Sequence, residues 1–103
     1  ESILREKFEE MKSRFPGRIA AVHGMGLAFA AVVVKPGTRE PDVEFVDRVI
    51  ERAFEKGVMS IRTMAGTIKV GPPLTISDDA LCEAMDVLTE SMGEIDREEE
   101  TDE

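Results

Sequence analysis

The stretch Lys69-Val70-Gly71-Pro72-Pro73-Leu74-Thr75-Ile76-Ser77 constrains the fold more than any other part of the chain. The residues before it, 67–70, alternate in polarity and predict a short strand. Pro72 and Pro73 lack backbone N–H donors and end any ladder there. Ser77 is a good helix N-cap, and Asp78 and Asp79 put negative charge in a first turn, where exposed N–H groups and the helix dipole favour it. A rigid strand-to-helix corner follows from these residues, and the rest of the chain must be arranged around it.

Upstream, Leu4, Phe8, Met11 and Phe15 recur at helical spacing and predict a helix over residues 2–14, which Pro16-Gly17 stops. Residues 18–23 read as a short strand, and Gly24-Met25-Gly26 as a joint before the apolar run 27–34. That run does not alternate, as expected of a central strand covered on both faces. Lys35-Pro36-Gly37-Thr38 makes a turn, and Pro41 suits the first turn of a helix carrying Phe45, Val46, Val49, Ile50, Ala53 and Phe54. Gly57, preceded by Lys56, is the expected C′ residue of that helix. Residues 58–63 read as a third strand, joined by a hairpin turn at Met64-Ala65-Gly66 to the antiparallel strand 67–70. Leu81, Met85, Leu88 and Met92 predict a last helix over residues 78–92, with Gly93 as its stop.

This order predicts an α+β fold, a small mainly antiparallel sheet of three to four strands with helices packed on one face. If Ile68 and Val70 face the helices, Thr67, Lys69 and Gly71 project from the other face, which no part of the chain covers. An open face of this kind implies a partner or a further domain.

Charge divides the chain. The net charge is −9, and residues 94–103 alone hold seven acids and one base, leaving −3 for the other 93 residues. Residues 1–93 therefore read as the domain and 94–103 as an acidic, disordered tail, with too few apolar residues to offset the entropy of ordering it. No basic face is evident to neutralise phosphates, which argues against nucleic acid. The longest apolar run is far below the roughly 20 residues of a membrane helix, and no signal peptide is visible. One cysteine, Cys82, excludes an internal disulfide framework and fits a reducing, cytoplasmic setting.

Each residue with chemistry has a simpler structural reading beside it. Gly24-x-Gly26 has the form of a phosphate-binding turn, but a strand follows it where a nucleotide site needs a helix N-terminus; close packing or positive φ explains the pair more simply. His23 and Cys82 are the only residues of their types, so neither supports a metal cluster, and a nucleophilic pair would require them to meet in space. Lys69 on the open face could hold a carboxylate or phosphate, or be a solvated strand lysine, and Arg62 on the neighbouring strand shares that ambiguity. No self-sufficient catalytic set is present.

Taken together, Gly24-Met25-Gly26-Leu27 leading into an apolar strand, a helix ending in Lys56-Gly57-Val58, and the corner from Lys69 to Ser77 resemble the C-terminal small domain of class III aminotransferases, pyridoxal-phosphate enzymes of fold type I. The resemblance covers residues 1–93. It implies a homodimeric parent that transfers an amino group between an amine or amino acid and an oxo acid, with pyridoxal phosphate held by a large domain and none on this chain. The structural motif is then Gly24, Gly26, Pro72, Pro73 and Ser77. Many members place an arginine that forks onto the substrate carboxylate just before the Pro-Pro step; here Lys69 holds that position, and the usual Arg-Gly-Arg-Gly turn is His23-Gly24-Met25-Gly26. Lys69 becomes the substrate-binding candidate of the parent enzyme. The competing reading is a free-standing regulatory module, similar to ACT domains, that dimerises through its open sheet face.

Overall fold

The computed structural model of the chain describes residues 2–25, 28–63, 66–71 and 76–101. In chain order these form α1 (Ser2–Arg14), β1 (Ile19–Met25), β2 (Ala28–Val33), α2 (Val43–Glu55), β3 (Ile61–Thr63), β4 (Thr67–Val70) and α3 (Asp78–Thr101). The strands make one sheet in the order β1-β2-β4-β3, and every neighbouring pair is antiparallel. The α+β class, the four-stranded sheet and the antiparallel β3–β4 pair agree with the sequence, while Met64 and Ala65 of the expected turn lie outside the described residues.

Strand register sorts the side chains. Phe29, Ala31 and Val33 of β2 and Ile68 and Val70 of β4 point into a single core with Leu4, Phe8 and Met11 of α1, Phe45, Val46 and Val49 of α2, and Leu81, Met85, Leu88 and Met92 of α3. α1 packs on β1 and β2, α2 on β3 and β4, and α3 lies against both helices. The Phe8 and Phe29 rings stack with centroids 6.0 Å apart. Burying each such ring contributes about 2 kcal/mol.

The non-alternating run in β2 is not covered by helices on both faces. Its second face carries the half-buried Val32 and also Ala28 and Ala30, whose methyl groups are buried although no helix among the described residues packs there. Alanine is short enough to disappear between taller neighbours, so apolarity on both faces is a weaker signal than it is for valine or isoleucine.

Several boundaries differ from the sequence reading. β3 begins only at Ile61, because Val58 is taken up in the end of α2. The Val58 N–H bonds the Ala53 carbonyl at 2.9 Å and the Gly57 N–H bonds that of Phe54 at 2.9 Å, with Gly57 at φ +93, a Schellman stop at the expected C′ glycine. Pro41 sits before α2 in a bridge to Val34, and Asp42 caps the helix by accepting from the Phe45 N–H at 3.1 Å. Phe54 ends the α2 stripe outside the core, 63% exposed.

The largest difference concerns the acidic end. α3 does not stop at Gly93; it continues to Thr101, so residues 94–101 are helical rather than a disordered tail. Ile95 is buried in the core, and carboxylates beyond it are ion-paired to other elements.

Candidate functional site

The two ends of the corner are described. β4 ends at Val70, and Ser77 caps α3: its hydroxyl accepts from the Ala80 N–H at 3.1 Å and its carbonyl from the Leu81 N–H at 2.9 Å. Asp78 and Asp79 occupy the first turn. Gly26, Pro72 and Pro73 lie outside the described residues. Val70, Gly71 and Ile76, on the two shoulders of the corner, line a hollow of about 360 Å³ with Val58, Leu81 and Met85. Its lining is apolar.

Lys69 lies on the sheet face opposite the core, half-buried. It pairs with Ala30 on one side and Ile61 on the other, and Ala30 pairs in turn with His23. One row therefore crosses the open face as His23, Ala30, Lys69 and Ile61. His23 is exposed and Ile61 is 54% exposed, so the row presents a cation beside apolar surface. Lys69 has no ion-pair partner among the described residues. Arg62 does not join it: Arg62 pairs with Ile68, on the helix side, and donates to Asp47 at 2.7 Å. His23 and Cys82 are also separated, since His23 is on the open face and Cys82 is on α3 across the sheet. Among the described residues no group of His, Cys, Asp and Glu could hold a metal ion.

Gly24 has a packing role. It pairs with Phe29, and a Cβ there would approach the Phe29 ring to 3.1 Å and an Arg5 guanidinium nitrogen to 3.6 Å. Arg5 itself lies 5.0 Å from the Phe29 ring centroid. The bare backbone leaves room for that ring.

Sequence reasoning missed Arg18. It enters β1 nearly buried and donates to Asp42 at 2.8 Å, Asp96 at 2.9 Å and Glu99 at 2.6 Å, while its guanidinium lies 3.7 Å from the Phe45 ring centroid. Burial works against its charge, but the hydrogen bonds it donates to Glu99, Asp96 and Asp42 outweigh that and strengthen its hold on the proton. From there a ladder runs along α2 and α3: Arg48 to Glu98 and Glu99, Arg52 to Glu94 and Glu98, and Lys56 to Glu90 and Glu94. The signal was in the spacing. Arg48, Arg52 and Lys56 repeat every four residues, as do Glu90, Glu94 and Glu98, and each set forms one helix stripe.

No family model matches the sequence. Over 79 residues it is 39% identical to the 4-aminobutyrate aminotransferase of Mycobacterium leprae (strain TN), covering 75% of this chain and 18% of that protein. Over 90 residues it is 30% identical to the mitochondrial acetylornithine aminotransferase of Saccharomyces cerevisiae, covering 87% of this chain and 19% of that one. The chain is a relative of the class III aminotransferases. Its fold matches a solved phospholyase from Arthrobacter in complex with phosphoethanolamine, with a TM-score of 0.81 and 25% identity over 89% of this chain and 22% of that one. The chain thus spans about a fifth of the length of the aminotransferases it matches.

Of the five lysines, Lys7 is ion-paired to Asp86, Lys35 to Glu40, and Lys56 to Glu90 and Glu94, whereas Lys12 is exposed on α1 and Lys69 lies on the sheet face opposite the core. The hollow beside the corner is lined, among the described residues, by apolar side chains and glycine. Among the described residues of this aminotransferase relative, the open face bearing Lys69 is the candidate site.

Proposed function

We propose that the chain is the small-domain part of a class III-like aminotransferase and that its open sheet face meets the large, cofactor-binding domain. The parent transfers an amino group between an amine or amino acid and an oxo acid with pyridoxal phosphate; this part is inactive alone. It helps close the active site and exclude water, a gating role. Homodimerisation and a cytoplasmic setting belong to the same reading. The observation that carries it is Lys69, half-buried on the sheet face opposite the described helices, two residues before the corner begins at Gly71. Support comes from relatives whose chains are matched over only about a fifth of their length.

Lys69 attracts a substrate carboxylate as a compact charge on a flexible stem, and cannot form the planar two-point clamp of an arginine. In the intact enzyme, Lys69→Ala is expected to raise KM for carboxylate substrates with a smaller effect on kcat, and Lys69→Arg to retain binding. Equal kinetics in Lys69→Ala and the unaltered enzyme would remove Lys69 from the site. Titrating the 103-residue chain with pyridoxal phosphate separates the larger reading. No stoichiometric Schiff-base absorbance band is expected, and a specific one would overturn the assignment of the cofactor to another domain.

A further inference from the structure

The end of α3 is a helix that its own sequence opposes. Residues 96–101, Asp-Arg-Glu-Glu-Glu-Thr, contain no apolar side chain, and Ile95 is the last residue of α3 in the core. Acids stand at the negative end of the helix dipole, and the last turn holds no basic residue. Like charges also meet at helical spacing, Glu94 with Glu98 and Asp96 with Glu99. Each of these effects destabilises an isolated helix, and a segment this short is marginal by propensity alone.

Attraction to other elements supplies what is missing. Asp96 and Glu99 accept from Arg18 at 2.9 and 2.6 Å, Glu98 accepts from Arg48 and Arg52 at 2.7 Å each, and Glu99 lies 3.4 Å from Arg48. Glu94, one residue before Ile95, is held by Arg52 at 2.8 Å and Lys56 at 2.9 Å. We propose that residues 96–101 are a charge-conditional helix, folded while Arg18, Arg48 and Arg52 face them and released as a unit past Ile95 when that charge is reversed or screened. The remainder of α3 stays docked, because Leu81, Met85, Leu88 and Met92 hold it through the core. The device is an order–disorder switch at one end of a single helix, and it does not depend on the enzyme reading.

Amide hydrogen exchange on the 103-residue chain reads the switch. In the double variant Arg48→Glu/Arg52→Glu, amides 98–101 are expected to exchange at least about tenfold faster while amides 85–92 are unchanged, as local opening free energies differ along one helix. Adding Glu98→Arg to that variant should restore protection, which a loss of packing alone would not allow. On the unaltered chain, raising salt from about 0.1 to 1 M shortens the Debye length from about 10 to 3 Å and should accelerate the same amides selectively. The proposal is overturned if amides 98–101 keep their protection under both treatments, if Glu98→Arg fails to rescue, or if the two halves of α3 open together under salt.

Discussion

Arg18 and Phe45 are held face to face by a third residue, Asp42, which serves both. One carboxylate oxygen of Asp42 caps α2 by accepting from the Phe45 N–H at 3.1 Å, and the other accepts from the Arg18 guanidinium at 2.8 Å. The guanidinium lies 3.7 Å from the Phe45 ring centroid. A cation over an aromatic face is stabilised by the ring quadrupole, more so where water is excluded. Because Arg18 also reaches Asp96 and Glu99, one side chain joins the start of β1, the start of α2 and the end of α3.

Arg18→Ala should therefore be among the most damaging substitutions outside the apolar core. It leaves Asp42 nearly buried without its cation and removes a side chain that covers Phe45. Breaking a buried pair from one side costs about 3–5 kcal/mol, and a urea melt should show a loss of that order. Arg18→Lys keeps the charge but not the fork, and should fall between. Arg18→Ala within 1 kcal/mol of the unaltered chain would show that the cluster adds nothing to stability.

Much of this fold was legible from apolar spacing. Leu4, Phe8 and Met11, the antiparallel β3–β4 pair, the Gly57 stop and the Ser77 cap all stand where local chemistry placed them. The errors share a cause, a local signal overruled by a contact distant in sequence. Gly93 looked like a stop, yet Ile95 beyond it finds the core and the acids beyond that find Arg18, Arg48 and Arg52. Reading the acidic end by itself could only give a solvated tail, whereas reading it against the basic stripe of α2 would have paired the two helices. For the site, alternation alone placed Lys69 on the open face, but which row it joins depends on register with β2 and β3, which no single strand encodes.

Two glycines should respond differently to alanine. A Cβ on Gly66 would lie 2.7 Å from the Val33 carbonyl oxygen and 3.1 Å from the Asp42 nitrogen, both backbone atoms in the packed edge where Val33 and Asp42 are hydrogen-bonded. A Cβ on Gly24 meets mainly the Phe29 ring, a side chain that can shift. Gly66→Ala should cost about 2–3 kcal/mol, the upper part of the usual overpacking range, and Gly24→Ala about 1 kcal/mol. Chemical denaturation ranks the two, and the reverse order would contradict the backbone contact.

Two serines on or next to α3 should move stability in opposite directions. Ser77 caps the helix through its hydroxyl, so Ser77→Ala should destabilise by about 1 kcal/mol. Ser91 is fully buried and its hydroxyl has no hydrogen-bond partner among the described residues. Removing that hydroxyl removes an uncompensated desolvation and substitutes a better helix former, so Ser91→Ala should stabilise by about 0.5–1 kcal/mol. A calorimetric Tm that falls for both would mean that Ser91 bonds a neighbour after all.

The α2–α3 ladder also sets how stability varies with pH. Glu94 is held below its ordinary carboxyl range by Lys56 first and Arg52 second, and Glu98 by Arg52. A depressed folded pKa means that the unfolded chain binds the proton more tightly, so these two groups stabilise the fold above the unfolded carboxyl value of about 4.3. Their contribution is lost as pH falls through the lower, folded values. On the alkaline side, Lys56 is raised by Glu94 and Glu90, and Lys7 by Asp86, so their contribution is present below about 10.4 and lost as pH rises through the folded values. From these groups the urea midpoint should be level between about pH 5.5 and 9.5 and decline on both sides. Arg52→Gln removes a partner of both Glu94 and Glu98, so it should lower the midpoint at neutral pH and make the acid decline shallower. An acid limb of unchanged slope in that variant would place the titrating carboxylates elsewhere.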